Sequence, residues 1–232
     1  MRGKVISISL IALFALSVFI GCGTKETPLS VDSVFADTDS DIDVSPAPSA
    51  ASTTLTDAEK EGILYMREEE KLARDVYIAL GEKWSLRNFS NIASSEQTHM
   101  NAVKTLIDKY GLDDPIEGKN EGEFTNGELQ DLYDNLIEQG MKSPEEALKV
   151  GAAIEEIDII DLQNHIAETD KEDIKFVYGN LLKGSKNHLV SFTSVLTRYG
   201  VTYQPQYLSE DDYNKIIGEV PERQKGQRKG RR

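Results

Sequence analysis

Five side chains of this sequence are of the types that hold divalent metals, and each falls among apolar residues at helical spacing: Glu70, the pair Glu96 and His99, Glu155, and His188. Groups three residues apart share one face of a helix, so Glu96-x-x-His99 presents a carboxylate and an imidazole side by side. Asp158 lies at the edge of the Glu155 face and is a further, weaker candidate. Carboxylate oxygens with imidazole nitrogens suit iron or manganese, and zinc stays open because affinity alone does not select the metal. Three carboxylates gathered in a low-dielectric interior would repel one another and lose hydration, at a cost on the order of several kcal/mol per unpaired ion. A divalent ion removes that objection.

The elements that must position these groups are helices. Alternating β-branched runs are absent between Thr56 and Gly200, which makes the class all-α. Helix one begins near Thr56, where Thr56 and Glu59 have capping-box spacing, turns Ile63, Met66, Ala73, Tyr77 and Leu80 inward, and is expected to stop at Gly81. Helix two, about Phe89 to Tyr110, turns Ile92, Val103, Leu106 and Tyr110 inward and ends at Gly111. A long connection from Asp113 to Ser143 contains a short helical piece around Glu128 to Glu138. Helix three opens at Ser143-Pro144 and turns Leu148, Ala152, Ile159, Leu162 and Ile166 inward. Helix four, about Lys171 to Tyr199, turns Val177, Leu181, Phe192, Val195 and Tyr199 inward, and Leu208 to Ile217 forms a small extra helix. Short, long and short links in that order describe two helical hairpins joined by one crossover, an antiparallel four-helix bundle.

Each inward stripe is interrupted by one of the candidate ligands, and their heights agree. Glu70 stands 11 residues before Gly81, Glu96 and His99 stand 7 and 10 after Phe89, Glu155 stands 13 before Glu168, and His188 stands 15 after Asp173. At about 1.5 Å per residue, these offsets bring the groups to one level within about a turn. A register slip of one would exchange Glu70 for Glu69; Glu70 is preferred because it shares a face with Tyr77. Glu156 is the alternate to Glu155, turned about 100° away. Tyr77 reads as core, with a hydrogen bond to the polar layer as the minor reading, His165 as a flank residue, and Trp84 as packing the end of the first hairpin. The competing structural reading is a bundle whose buried charges pair with Arg67, Arg74 or Lys104.

A helix-one Glu, a helix-two Glu-x-x-His, a helix-three Glu and a helix-four His resemble the ferritin and rubrerythrin superfamily, and the Glu70 to Tyr77 spacing resembles it too. More narrowly, EEEKLARDVY, SSEQTHMNAV, GAAIEEIDIIDL and GSKNHLVSF resemble an uncharacterised prokaryotic family of ferritin-like domains (domain of unknown function 2202), over about Ile63 to Gly200. The resemblance implies that Glu70, Glu96, His99, Glu155 and His188 match ligands of a di-iron pattern. It also implies iron handling or an oxidase or peroxidase type of chemistry. One position departs from the pattern: the helix-four motif should be Glu-x-x-His, and here Ser185 stands three before His188. Asp158 and Glu156 on helix three are the candidates to replace the missing bridging carboxylate, a choice that spacing leaves open. The expected consequence is that the position nearer Glu155 and His188 is the weaker of two, and that Ser185→Glu strengthens it unless Asp158 crowds the new side chain.

The ends of the 232-residue chain concern location. Arg2 and Lys4 precede an apolar run from Val5 to Ile20, which reads as an export signal over residues 1–21. Phe19-Ile20-Gly21-Cys22 resembles a bacterial lipobox, with Phe19 where Leu is usual, and makes Cys22 the expected lipid-bearing residue of a membrane-anchored lipoprotein at the cell envelope. Cleavage by the ordinary secretory route, giving a soluble secreted or periplasmic protein, is the alternative. With Cys22 as the single cysteine there is no intramolecular disulfide and no rubredoxin-like Cys pair, so redox chemistry would need an external electron donor. Residues 22–55 read as a disordered tether with a reach of roughly 30 Å, residues 56–200 as the bundle, 201–220 as an extension and 221–232 as a basic tail. A net charge of −14 excludes a general nucleic-acid binder and suits cation attraction. A homodimer is left open. The function class competing with a metalloprotein is a non-catalytic helical binding module at the envelope.

Overall fold

The computed structural model describes residues 54–219. The expected signal segment, Cys22, the basic tail and all but the last two residues of the tether lie outside them. Six helices and no strand occur among the described residues: α1 (Asp57–Trp84), α2 (Arg87–Tyr110), α3 (Gly127–Gly140), α4 (Pro144–Glu168), α5 (Glu172–Arg198) and α6 (Glu210–Glu219). None of the described helices is long and apolar enough to cross a membrane.

The helix starts follow from local chemistry. Thr56 and Glu59 close a reciprocal capping box at α1, and Glu59 also accepts the hydroxyl of Thr169, tying the start of α1 to the turn between α4 and α5. Asn126 caps α3, and Ser143 caps α4 ahead of Pro144. At its other end α1 overruns the expected stop at Gly81 and ends at Ser85, whose φ of 54° reverses the chain. Gly81 stays helical, and its missing side chain lets Phe89 approach: a Cβ there would sit 3.0 Å from that of Phe89. Trp84 then donates from Nε1 to the carbonyl of Gly140 at 2.9 Å, pinning the end of the first hairpin to α3.

α1 packs on α2, α3 and α4; α4 packs on α5 and α3; α2 packs on α5; α6 rests on α5. Facing residues run in opposite senses in each long pair. Arg67 meets Met100 and Arg74 meets Gln97 across α1 and α2. Tyr77 meets Glu155 and Tyr65 meets Asp161 across α1 and α4. The core falls into two apolar clusters. One gathers Ala73, Tyr77, Phe89, Leu148 and Phe192; the other gathers Ile63, Met66, Val103, Leu162, Tyr178 and Leu181. On α1, α2 and α5 the chain positions between them carry candidate ligands, whereas on α4 Glu155 and Asp158 stand between Ile154 and Ile159 of the first cluster.

Four expectations about burial need correction. Tyr199 is 54% exposed, because α5 ends at Arg198 and the chain turns away at Gly200; Tyr203 enters the core instead. Near the start of α5 the fully inward residues are Ile174 and Tyr178, with Val177 half-buried. Tyr110 and Ile166 are also half-buried.

Candidate metal centre

Glu70, 1% exposed, projects from α1 into the space between the two apolar clusters. Glu96 and His99 reach it from α2, Glu155 from α4 and His188 from α5. Potential ligand atoms of Glu70, Glu96 and His99 lie within 4.8 Å of one another, and so do those of Glu96, Glu155 and His188. Glu96 belongs to both groups: one oxygen is 2.7 Å from His99 Nδ1 and the other is 2.7 Å from His188 Nδ1. The arrangement is two three-ligand positions sharing a central carboxylate.

Neighbours orient the ligands. His188 holds Ser95 with Nε2 at 3.1 Å, which leaves Nδ1 facing inward. Tyr77 donates to Glu155 Oε1 at 2.6 Å, so this core residue also fixes a carboxylate. His99 has room because the adjacent α5 residue is Gly184; a Cβ there would come within 2.5 Å of the imidazole. Ser185 is fully buried and donates to the carboxylate of Asp158, while also bonding the Leu181 carbonyl at 2.9 Å. Asp158 therefore stands beside the position that the missing helix-four carboxylate would occupy, although it belongs to neither three-residue group.

A divalent ion fits what these groups lack. Glu70 Oε1, Glu96 Oε1, Asp158 Oδ1 and His188 Nδ1 are buried without a hydrogen-bond partner. Buried polar atoms are almost always paired, and three of these four belong to residues of the two groups that share Glu96, a pattern a cation resolves. The close approach of His188 Nδ1 to Glu96 is off the line an N–H donor needs, as expected of two ligand atoms aimed at a common point.

Without an ion the electrostatics are frustrated. Burial, reinforced by the Asp158 charge, pushes Glu70 well above the carboxylate range. Burial and the Glu155 charge raise Asp158 to about 8. Burial opposes ionisation of Glu96 as well, but the imidazoles of His188 and His99 outweigh it and pull it down to about 2. Burial disfavours charged imidazoles, yet Glu70 and Glu96 raise His99 to about 11, and Glu155 and Glu96 raise His188 to about 10. Without an ion, protons on Glu70, Asp158 and the two imidazoles offset the buried negative charge.

The cations of the competing structural reading are engaged elsewhere. Arg67 forms a two-point pair with Asp114 and bonds the Met100 carbonyl. Arg74 is held by Asp75 and Gln97, and Lys104 by Asp108. No ion pair from any of the three to the ligand layer occurs among the described residues.

Sequence reasoning missed the roles of several acids. Glu68, Glu69 and Glu70 are all buried, each on a different side of α1: Glu70 toward His99 and Glu96, Glu69 toward α4, and Glu68 under the segment that leads into α3. Glu68 accepts the backbone N–H groups of Thr125 and Asn126 and so fixes that segment. Glu69 approaches Asp161 on α4. Glu156, turned away from the layer as expected, is fully buried and accepts the N–H groups of Gln206, Tyr207 and Leu208. The sequence signal available was the unbroken charged run Arg67 to Lys71 between Met66 and Leu72, long enough to place a charge on every side of the helix.

The sequence profile of the family described as "Uncharacterized protein domain (DUF2202)" matches residues 59–219. The chain is 54% identical over 169 residues to the uncharacterized protein MJ0754 of Methanocaldococcus jannaschii, covering 73% of this chain and 91% of the relative. The crystal structure of hypothetical protein MJ0754 from Methanococcus jannaschii superposes with a TM-score of 0.71 at 52% identity, covering 74% of this chain and 98% of that one. Across a span that holds all the candidate ligands, the chain belongs to the DUF2202 family.

Proposed function

We propose that this protein is a ferritin-like metalloprotein: an antiparallel four-helix bundle of α1, α2, α4 and α5, with α3 on the crossover, holding a two-metal carboxylate and histidine centre. The observation that carries this reading is the convergence of buried, partnerless ligand atoms on a shared Glu96. Oxygen and imidazole donors favour iron or manganese over softer-ligand metals. Glu70 and His99 would hold one ion, Glu155 and His188 the other, and Glu96 both. Such a pair supplies, when bound, one-electron exchange with oxygen or peroxide. The protein's own contribution is positional: Tyr77 fixes Glu155, Ser95 fixes His188, Ser185 fixes Asp158, and the apolar clusters on either side exclude water. Electrons would come from an external donor.

The same reading places the protein at the cell envelope, lipid-anchored through Cys22 and tethered by the Ser, Thr, Asp and Pro-rich segment that follows. Mass spectrometry of the mature protein should find a lipid-modified Cys22 at its start; an unmodified protein cleaved elsewhere contradicts the anchor and leaves the metal centre untouched.

Metal analysis of the purified protein, after expression with iron, manganese and zinc supplied, tests the centre. The expected content is about one to two ions per chain. Less than about a tenth of an equivalent of every metal would contradict it and favour the non-catalytic binding module.

A further inference from the structure

Beside the ligand layer, the groove between α1 and α4 contains a second acidic group that the layer does not use. Glu69 is 3% exposed, and neither of its oxygens has a hydrogen-bond partner. Its carboxylate lies within hydrogen-bonding reach of that of Asp161, three residues beyond Asp158 on α4. Asp161 is half-buried and accepts the hydroxyl of Tyr65 at 3.3 Å, so this pair connects the interior with the surface. Two carboxylates meeting with no donor between them require a cation or a proton.

Basic side chains on α1 are committed elsewhere. Lys71 is held by Asp75 and the Asn120 carbonyl, Arg67 by Asp114, and Arg74 by Asp75 and Gln97. The charges acting most strongly on Glu69 are those of Asp161, Asp158 and Glu70, all negative. Formal charge balances in two steps. Two divalent ions in the layer match Glu70, Glu96, Glu155 and Asp158, with both imidazoles neutral. Glu69 and Asp161 remain, and one more divalent ion matches them.

We propose that Glu69 and Asp161, their coordination completed by water, hold a third divalent cation in the groove between α1 and α4, where Asp161 reaches toward solvent. The inference rests on reading the layer as a metal centre. The donor set is oxygen alone, which takes hard ions such as manganese(II), iron(II), magnesium or calcium and lacks the imidazole that tightens the inner positions. An ion held there exchanges more readily than the inner pair and stands next in line to fill it. Glu69 is next to Glu70 on α1 and Asp161 follows Asp158 by about one turn on α4, so the inner and outer positions adjoin.

Crystals of the protein soaked in manganese(II) test this by anomalous scattering, with wild type beside Glu69→Gln and Asp161→Asn. The expected result is a peak between Glu69 and Asp161 in addition to peaks in the layer. Each substitution should abolish the outer peak and leave the inner ones. Layer peaks with nothing at Glu69 overturn the proposal alone, and leave a proton shared between Glu69 and Asp161. An outer peak that persists in both variants also overturns it, since other groups would then hold the ion. An outer peak lost in the variants, with the layer empty, sustains this site and defeats the metal centre; no peak anywhere defeats both. Should Glu69→Gln fail to fold, the half-buried Asp161→Asn and the wild type still decide the matter.

Discussion

Asp158 and Tyr77 show how single side chains set the centre's properties. Ser185 occupies the helix-four position where the ferritin pattern has a carboxylate, and its hydroxyl points at Asp158. On the ferritin-like reading proposed above, Asp158 would supply from α4 the charge expected on α5. Asp158→Asn keeps the shape and removes the charge, so the ion near Glu155 and His188 should bind about tenfold more weakly, read by metal titration. Ser185→Glu would press a second carboxylate against Asp158 and is expected to help only in the Asp158→Asn background. Equal affinity in wild type and Asp158→Asn would show that Asp158 does not complete the site. Tyr77→Phe preserves the aromatic contacts with Phe89 and Phe192 but strips Glu155 of its donor. Leaving that buried acceptor unpaired should cost about 1–3 kcal/mol of metal-free stability, measured by denaturant unfolding.

At the scale of elements, the all-helical class was legible because each long helix carries an inward stripe and two of them, α1 and α4, carry their own start signals. Thr56 with Glu59, and Ser143 with Pro144, mark their helices without help from tertiary structure. Glu70, Glu96, His99, Glu155 and His188 were legible for the same reason, as polar interruptions of apolar faces. What escaped was whatever depends on a helix being covered on more than one side. Glu68 and Glu69 look like solvated neighbours of Glu70 until the segment before α3 is placed over Glu68 and α4 over Glu69. Likewise nothing in the sequence links Glu156 to residues some 50 positions later, where it gathers three backbone N–H groups and anchors the segment leading into α6. Glu156→Gln weakens those charge-assisted bonds and should cost about 2 kcal/mol. Amide exchange should quicken at Gln206, Tyr207 and Leu208 while α1, α2 and α4 keep their protection. Uniform loss of protection would instead make the latch part of the core.

For the whole molecule the balance of buried charge makes stability depend on pH and on metal together. In the metal-free protein Glu69 and Glu70 lie well above their unfolded values, Asp158 rises to about 8, His188 to about 10 and His99 to about 11. A raised folded pKa contributes stability that is complete below the unfolded value and is lost as pH rises through the folded one. Glu96, lowered to about 2, acts oppositely and contributes above the ordinary carboxylate range. The metal-free protein should therefore melt lower at about pH 8.5 than at about pH 5.5. Metal-loaded protein should show the reverse order, because ligands bind deprotonated and loading releases protons. A metal-free melting temperature that rises with pH across that window would contradict the buried acidic layer.

If two ions share Glu96, removing its charge should empty both positions, and counting tightly bound metal in wild type and Glu96→Gln decides the matter. Both proteins would be stripped, titrated with manganese(II) or iron(II), desalted and analysed for metal. Glu96→Gln keeps the size of the side chain while removing the charge common to both positions. The expected result is about two ions per wild-type chain and fewer than about half an ion in the variant, because each position loses a ligand. A wild type that retains no metal, or a variant that retains as much as the wild type, would contradict the centre described for this protein.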